Sequence, residues 1–350
     1  MREFYGQFSR QGSFTPWLAG LAATITLAST LASTLANSLM AQETKATQGA
    51  SVPSARKSRV SSQTEFLRMT KTESKEPKTL DTSVTTYRST AAGGISVDLI
   101  GAVHIGEREY YEELNRRFDQ YEVLLYELVA PEDTVIPHGG KRGGTNPVAM
   151  LQDSAKNMLG LQSQLELVDY TKAHFMRADM TPTQIADKMA ERGETAFTVA
   201  LSTFADVMRQ QNLATREAAK QPASELEQEL GLFDLLGNPL KMKQVMAEQF
   251  VKMGALDKSL GGSLNQMLVI DRNGVALRGL QKQIAAGKKK IGIFYGAAHM
   301  PDFEKHLTAD FGLQKGEQTW IVAWDLERGP KNSAMEPASM LLNLFKMLDE

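Results

Sequence analysis

The sequence predicts an α/β protein with a central mixed β-sheet built from two β-(GxxH)-α-β halves flanked by helices, and a large helical insertion between the halves. The prediction depends on a repeated pattern: Gly-x-x-His occurs at residues 101–104 and again at 296–299. In both places an apolar, β-like run precedes the pattern and a segment with helical periodicity follows it. A single match would carry little weight, but matching flanks indicate two equivalent units that deliver one histidine each to a shared site.

The first half is predicted as two strands, a helix and a strand, over residues 84–88, 95–103, 107–118 and 123–129. The turn-forming Ala-Ala-Gly-Gly segment between the first two strands predicts a hairpin that ends at His104. Apolar side chains at Tyr110, Leu114 and Phe118 recur at helical spacing.

The second half repeats this order, with a helix over 273–286, a strand over 291–298, a helix from Pro301 and a strand over 320–324. Between the halves, about 147–268, the chain is rich in Met, Leu, Gln, Ala and Glu. Capping-box patterns begin at Thr181 and Ser224 and are typical of helix starts. We therefore expect this segment to be a helical insertion.

The composition indicates one globular domain with extensions. The chain has 350 residues, 42% of them hydrophobic, and a net charge of −2, so it has no global attraction to nucleic acid. It contains no cysteine, which excludes disulfides, zinc-thiolate sites and a thiol nucleophile.

The two ends of the chain differ from the middle in composition. Residues 1–41 carry Arg2 and Arg10 and then a long uncharged stretch, which predicts an export signal and a periplasmic or secreted protein. The alternative is a retained N-terminal anchor, and with it membrane association. Residues 42–80 are predicted as a flexible spacer, 81–330 as the α/β domain and 331–350 as a C-terminal helical tail.

Both histidines of the repeated pattern lie between a predicted strand and a predicted helix. The carboxyl ends of strands face the binding crevice in open α/β sheets, so His104 and His299 are expected to point toward one site. A helix N-terminus favours neutral imidazole, which leaves a nitrogen lone pair for a metal or for base catalysis. Alternatively, each ring simply hydrogen-bonds a turn.

Glu127 interrupts an otherwise apolar strand, where an ionised carboxylate is costly unless a cation satisfies it. If the β-α-β units are adjacent, the end of its strand lies beside His104. Two imidazoles and one carboxylate form a recurring hydrolytic site for zinc and related divalent ions. The alternative is a strand glutamate that faces solvent.

Two further charged residues are candidates for catalysis. Arg272, at the start of the helix before the second motif, can pair with Glu127 or stabilise a developing oxyanion; alternatively it is a solvated helix-start charge. Glu107 or Glu127 can carry a proton. His138 in a possible lid over 131–147, His174 and His306 are weaker candidates.

Over about residues 84–326 the sequence resembles the TraB/Tiki (GumN-like) family. The resemblance rests on Ile-Gly-Ala-Val-His-Ile-Gly at 100–106, Val-Asp-Tyr at 168–170, Ala-Asp-Met-Thr at 178–181 and Tyr-Gly-Ala-Ala-His-Met at 295–300, together with the strand glutamate and the Arg-Asn pair before the second motif. It implies a secreted or membrane-tethered α/β domain. Tiki members are metal-dependent proteases that use manganese or cobalt, and more distant relatives include an esterase and haem-binding proteins. The resemblance implies that His104, Glu127 and His299 are metal-site residues and that Arg272 is a polar site residue.

The sequence therefore predicts a hydrolase that cleaves peptide or protein substrates with water activated by a divalent ion, whether manganese, cobalt or zinc. Two alternatives stay open. One is a metal-independent esterase with a histidine general base, and the other is a non-catalytic protein that binds a peptide or haem in the same crevice.

Overall fold

In a computed structural model of the protein, residues 64–90, 94–137, 139, 156, 159–193, 238–255 and 265–329 are described. They form a mixed α/β fold with a central seven-stranded sheet that contains parallel and antiparallel pairs. The main-sheet strands are β1 (Leu67–Lys71), β2 (Pro77–Arg88), β3 (Ser96–Ala102), β5 (Val123–Tyr126), β7 (Phe175–Arg177), β8 (Lys290–Gly296) and β9 (Gln314–Asp325). A separate two-stranded sheet pairs β4 (Ile105–Gly106) with β6 (Gln162–Ser163).

Six α-helices belong to the described residues. They are α1 (Arg108–Phe118), α2 (Gln164–Leu167), α3 (Pro182–Glu191), α4 (Pro239–Ala255), α5 (Asp271–Ala285) and α6 (Met300–Ala309). A π-helical turn, Gln266–Ile270, leads into α5, and a 3-10 turn, Ala297–His299, leads into α6.

The strand order is β1-β2-β3-β8-β5-β7, and β9 pairs with β2. The neighbours β3, β8, β5 and β7 are parallel to one another, so their carboxyl ends lie at one edge of the sheet. We call this the carboxyl edge. The strand order differs from the expectation that the end of β5 lies beside His104, because β8 occupies the position between β3 and β5. The connection through α1 leaves that position open, and a strand from much later in the chain fills it.

Helices cover both faces of the parallel strands, which explains why these strands are apolar on both sides. Consecutive residues of β3 point to opposite faces: Ile100 packs in the same core layer as Leu114 of α1, whereas Leu99 packs with Leu280 of α5 and Phe303 of α6. All five side chains are fully buried.

The first strands begin earlier than the sequence predicts. Both β1 and the start of β2 lie within 42–80, the segment expected to be a flexible spacer. The sequence of β1 resembles a linker because only two of its five residues, Leu67 and Met69, are apolar; in the structure both pack against the core, and the strand pairs with β2. Leu80, at the end of the predicted spacer, is fully buried in the core.

The strands near the predicted site end at different residues from those that the sequence predicts. The strand that contains Val123 ends at Tyr126 instead of residue 129, so Glu127 directly follows it. Likewise β8 ends at Gly296, and His299 lies in the following 3-10 turn. The last strand is longer than the predicted 320–324, because polar residues from Gln314 onward pair with β2.

The described parts of segment 147–268 are not wholly helical, since β7 joins the main sheet. Three residues are too few to show strand periodicity in the sequence. The capping box at Thr181 is confirmed: its hydroxyl accepts from the N–H of Gln184 at 3.1 Å, and its own N–H donates to the Gln184 side chain at 2.9 Å.

Several predictions concern residues outside the described ranges: the export signal, the capping box at Ser224, His138 with most of its loop, and the C-terminal tail. No helix in the described part of the chain is long and apolar enough to span a bilayer.

Candidate functional site

Four polar residues follow the four parallel strands at the carboxyl edge. His104 follows β3, His299 follows β8, Glu127 follows β5, and Asp179 follows β7. Because parallel strands end at the same edge, residues that are up to 195 positions apart in the chain are brought together.

The two Gly-x-x-His loops are neighbours. In the β3–β8 pair Ala102 lies opposite Gly296, and a Cβ placed on Gly101 would lie 3.7 Å from the Cβ of Ala297. A Cβ on Gly296 would lie only 3.3 Å from Glu127 Oε2, a contact tighter than side chains normally make. The glycine of the second motif therefore makes room for the carboxylate, and its N–H donates to Oε2 at 2.7 Å.

The cation that Glu127 requires is Arg272. Arg272 Nη2 donates to Glu127 Oε1 at 2.6 Å, and the two side chains are only 8% and 10% exposed. Burial alone would raise the pKa of Glu127, but the guanidinium, the nearby imidazoles and the Gly296 N–H hold it well below its ordinary value. The predicted ion pair between Arg272 and Glu127 is confirmed. The alternative, that Arg272 is a solvated charge at a helix start, is wrong because its side chain is buried.

Asp179 also belongs to this cluster, although the sequence alone indicates no role for it. Its carboxylate accepts from Arg272 Nε at 2.9 Å and from Nη2 at 2.7 Å, and its side chain is fully buried. Burial works against the charge of Arg272, but Glu127 and Asp179 outweigh it and raise the arginine pKa further. The signal in the sequence was an Asp between a short strand and a capping box.

His299 is buried and hydrogen-bonded on one side. Its Nδ1 lies 2.7 Å from Asn273 Oδ1, and its Nε2 lies 3.6 Å from Glu127 Oε1. Burial lowers the pKa of His299 to about 4, against the attraction of Glu127, so the ring is neutral at pH 7. With the proton on Nδ1, the Nε2 lone pair faces a carboxylate oxygen.

His104 is more exposed than His299. Its Nδ1 lies 3.2 Å from Gln164 Oε1, and its backbone C=O accepts from the N–H of Gln164 at 2.9 Å. The His104 loop lies beside the His299 loop, because β3 and β8 are adjacent strands and Gly101 and Ala297 approach each other where these strands end.

The other candidates lie elsewhere. Glu107 occupies the N-cap position of α1 without a side-chain capping bond. Its carboxylate accepts from Lys243 Nζ at 2.6 Å and from the N–H of Asp325 at 3.3 Å, so it belongs to a different ion pair. His174 Nε2 lies 3.0 Å from the backbone oxygen of Phe118, and His306 pairs with two aspartates along α6.

A divalent ion requires several nitrogen or oxygen atoms with free lone pairs close to one point. Among the described residues, no three His, Asp or Glu side chains form a ready-made metal-binding group. Two acceptor atoms do face each other, His299 Nε2 and Glu127 Oε1, at 3.6 Å. Ligands about 2.1 Å from one ion can lie up to about 4.2 Å apart, so this pair fits a shared ion. Each carboxylate oxygen of Glu127 keeps a second lone pair beyond the one used by Arg272 or Gly296.

The low pKa of His299 predicts acid sensitivity of the metal-free protein. As pH falls below about 6.5, the unfolded chain takes up a proton at this histidine that the folded protein rejects until about pH 4. Stability is therefore lost over that range, by about 2 kcal/mol between pH 7 and pH 5. Urea unfolding at both pH values in the presence of chelator measures it. His299→Gln should remove most of this loss, and an unchanged pH dependence in the variant would contradict the prediction.

Comparison with known protein families, with characterised proteins and with solved structures finds no match for this chain.

Proposed function

We propose that the protein is a metal-dependent hydrolase that cleaves peptide bonds, and that it is a member of the TraB/Tiki (GumN-like) family. The observation that carries the proposal is the pair of facing acceptors at the carboxyl edge, His299 Nε2 and Glu127 Oε1. Two buried lone pairs this close repel each other unless a proton or a cation lies between them. The single proton of the neutral His299 ring lies on Nδ1, where it is donated to Asn273 Oδ1, and the low pKa of the ring disfavours a second proton on Nε2, so a cation is the better candidate.

In this proposal His104, His299 and Glu127 hold a divalent ion, either manganese, cobalt or zinc. When bound, such an ion acidifies a water molecule and polarises the carbonyl group that the water attacks. Glu127 supplies negative charge: its low pKa makes it a good ligand and a poor proton acceptor. We assign Glu107 no role in this site, because its carboxylate pairs with Lys243.

Arg272 acts through Glu127 in this proposal. Three of its four hydrogen bonds go to the Glu127 and Asp179 carboxylates, and the fourth goes from Nη1 to the backbone oxygen of Leu268 at 3.2 Å. An arginine bound on so many sides is rigid. We assign it the task of fixing the Glu127 carboxylate in place, and with it the ligand geometry.

We also propose that the two Gly-x-x-His units are halves of an internal duplication separated by an inserted segment. Support comes from β3 and β8, which are parallel neighbours, and from the helix that follows each motif. The halves have diverged in burial, since His299 is 6% exposed whereas His104 is exposed.

Metal-dependent turnover tests the proposed function. Protein purified without chelator is assayed for metal content and for cleavage of a random peptide mixture, before and after chelation and with manganese, cobalt or zinc restored. We expect chelation to reduce turnover by at least about 100-fold and the metal to restore it. Glu127→Gln should be inactive with metal present, whereas the exposed Glu112→Gln on α1 is the matched control and should keep full activity.

Two results would contradict the proposal. Ester hydrolysis that survives chelation would favour His299 as a general base, a role that its neutral, hydrogen-bonded ring also permits. Binding of haem or peptide without any turnover would favour a sequestering protein.

A further inference from the structure

We propose that Asn273 and Gln164 are a matched pair of positioning residues, each of which accepts the Nδ1 proton of one motif histidine and so leaves the Nε2 lone pair free. The role of the free lone pair in metal binding rests on the proposed function, but the hydrogen bonds to the two histidines do not depend on it. We call the two residues the amide clamps.

The Asn273 clamp is fixed on both sides of its amide. The Nδ2 group donates to Asp302 Oδ2 at 2.9 Å and to the backbone oxygen of His299 at 3.2 Å. Both partners are acceptors only, so this end of the amide must be the NH₂ group. The other end, Oδ1, lies 2.7 Å from His299 Nδ1, and an oxygen there can only accept. His299 therefore carries its proton on Nδ1.

A similar arrangement occurs at the first motif, where the partner of the Gln164 amide is a hydroxyl group, which can donate or accept. Gln164 Oε1 lies 3.2 Å from His104 Nδ1, and Nε2 donates to the hydroxyl of Tyr170 at 2.8 Å. The Gln164 backbone N–H also donates to the backbone oxygen of His104, just as Asn273 binds the backbone oxygen of His299. In both cases one residue holds the ring and the backbone of its histidine.

The two clamps come from unrelated positions, one from α2 and the other from α5. Both clamps have the same effect on the tautomer of their histidine. Free histidine in water prefers the proton on Nε2, whereas the clamps impose the opposite tautomer. A histidine that binds a metal through Nε2 commonly donates its Nδ1 proton to such a partner, and loss of that partner typically lowers metal affinity about 10–100-fold.

Nuclear magnetic resonance of the metal-free protein tests the clamps directly. Nitrogen-15 shifts of the histidine rings at pH 8 report which nitrogen carries the proton. We expect Nδ1–H for both His104 and His299. Nε2–H as the main tautomer of either ring in the wild-type protein would overturn the corresponding clamp, whether or not the protein binds metal or has activity.

Variants separate positioning from general structural support. Gln164→Met removes the acceptor and should return His104 to the Nε2–H tautomer and weaken manganese binding about 10–100-fold. Gln164→Glu keeps an acceptor oxygen at the same place and should preserve both properties. Gln281→Met, at an exposed position on α5, is the matched control. Asn273→Leu is the equivalent test at His299; because Asn273 is fully buried, its folding is checked first by circular dichroism.

The outcomes distinguish the two proposals. If wild-type protein shows the Nδ1–H tautomers but binds no manganese, cobalt or zinc, the clamps stand and the proposed function fails. If metal binds but Gln164→Met changes neither the tautomer nor the affinity, the Gln164 clamp fails and the function stands.

Discussion

Replacing Arg272 with methionine is expected to lower the free energy of unfolding by about 3–5 kcal/mol. The guanidinium is the partner of two buried carboxylates, those of Glu127 and Asp179. Methionine has a similar length and fills much of the same space, but leaves both carboxylates without their cation in a site that water scarcely reaches. Removing one member of a buried ion cluster is costly because the remaining charges stay uncompensated.

Urea unfolding monitored by circular dichroism measures this effect. The matched control is Arg278→Met, which removes an exposed arginine from the same helix, less than two turns from Arg272. This control should change the free energy of unfolding by no more than about 0.5 kcal/mol. Equal stability of the two variants would show that the Arg272 cluster does not stabilise the fold.

The components of the site could be predicted from the sequence because each is marked by a local feature of the sequence. A glutamate after four apolar strand residues requires a partner, and an arginine at a helix start is a reasonable candidate for it. The histidines stood out because the same four-residue pattern recurred after two apolar runs. These are local signals, and the ion pair between Glu127 and Arg272 agrees with them.

The arrangement of the site could not be predicted, because it depends on contacts between distant parts of the chain. Nothing near β3 indicates that β8 pairs with it, nearly 200 residues later. Asp179 follows a three-residue strand that is too short to show a period, so its part in the cluster was visible only once β7 joined the sheet. The clamps were missed for the same reason, since Gln164 and Asn273 are ordinary residues until the fold brings them to a histidine.

Replacing either motif histidine with alanine is expected to remove most of the metal affinity, and replacing both should add little. Residues that bind one ion act as a unit, so their effects on affinity are strongly non-additive. The loss in each single variant should exceed the roughly 10–100-fold effect of a residue that only orients a ligand. The two rings differ in exposure, since His299 is buried and His104 is exposed. If the histidines only supported the fold, His299→Ala would disturb the protein strongly and His104→Ala would change it very little. A similar loss of metal affinity in both variants therefore distinguishes a shared site from structural support.

Titration of manganese into wild-type protein, His104→Ala, His299→Ala and the double variant is the most direct test of a single shared site at the carboxyl edge. Calorimetry gives both the number of ions bound and the affinity. A shared site predicts one ion per wild-type chain, a large loss of affinity in each single variant and no substantial further loss in the double variant. Additive losses, or an affinity in His104→Ala equal to that of the wild type, would show that the two Gly-x-x-His motifs do not form one metal site.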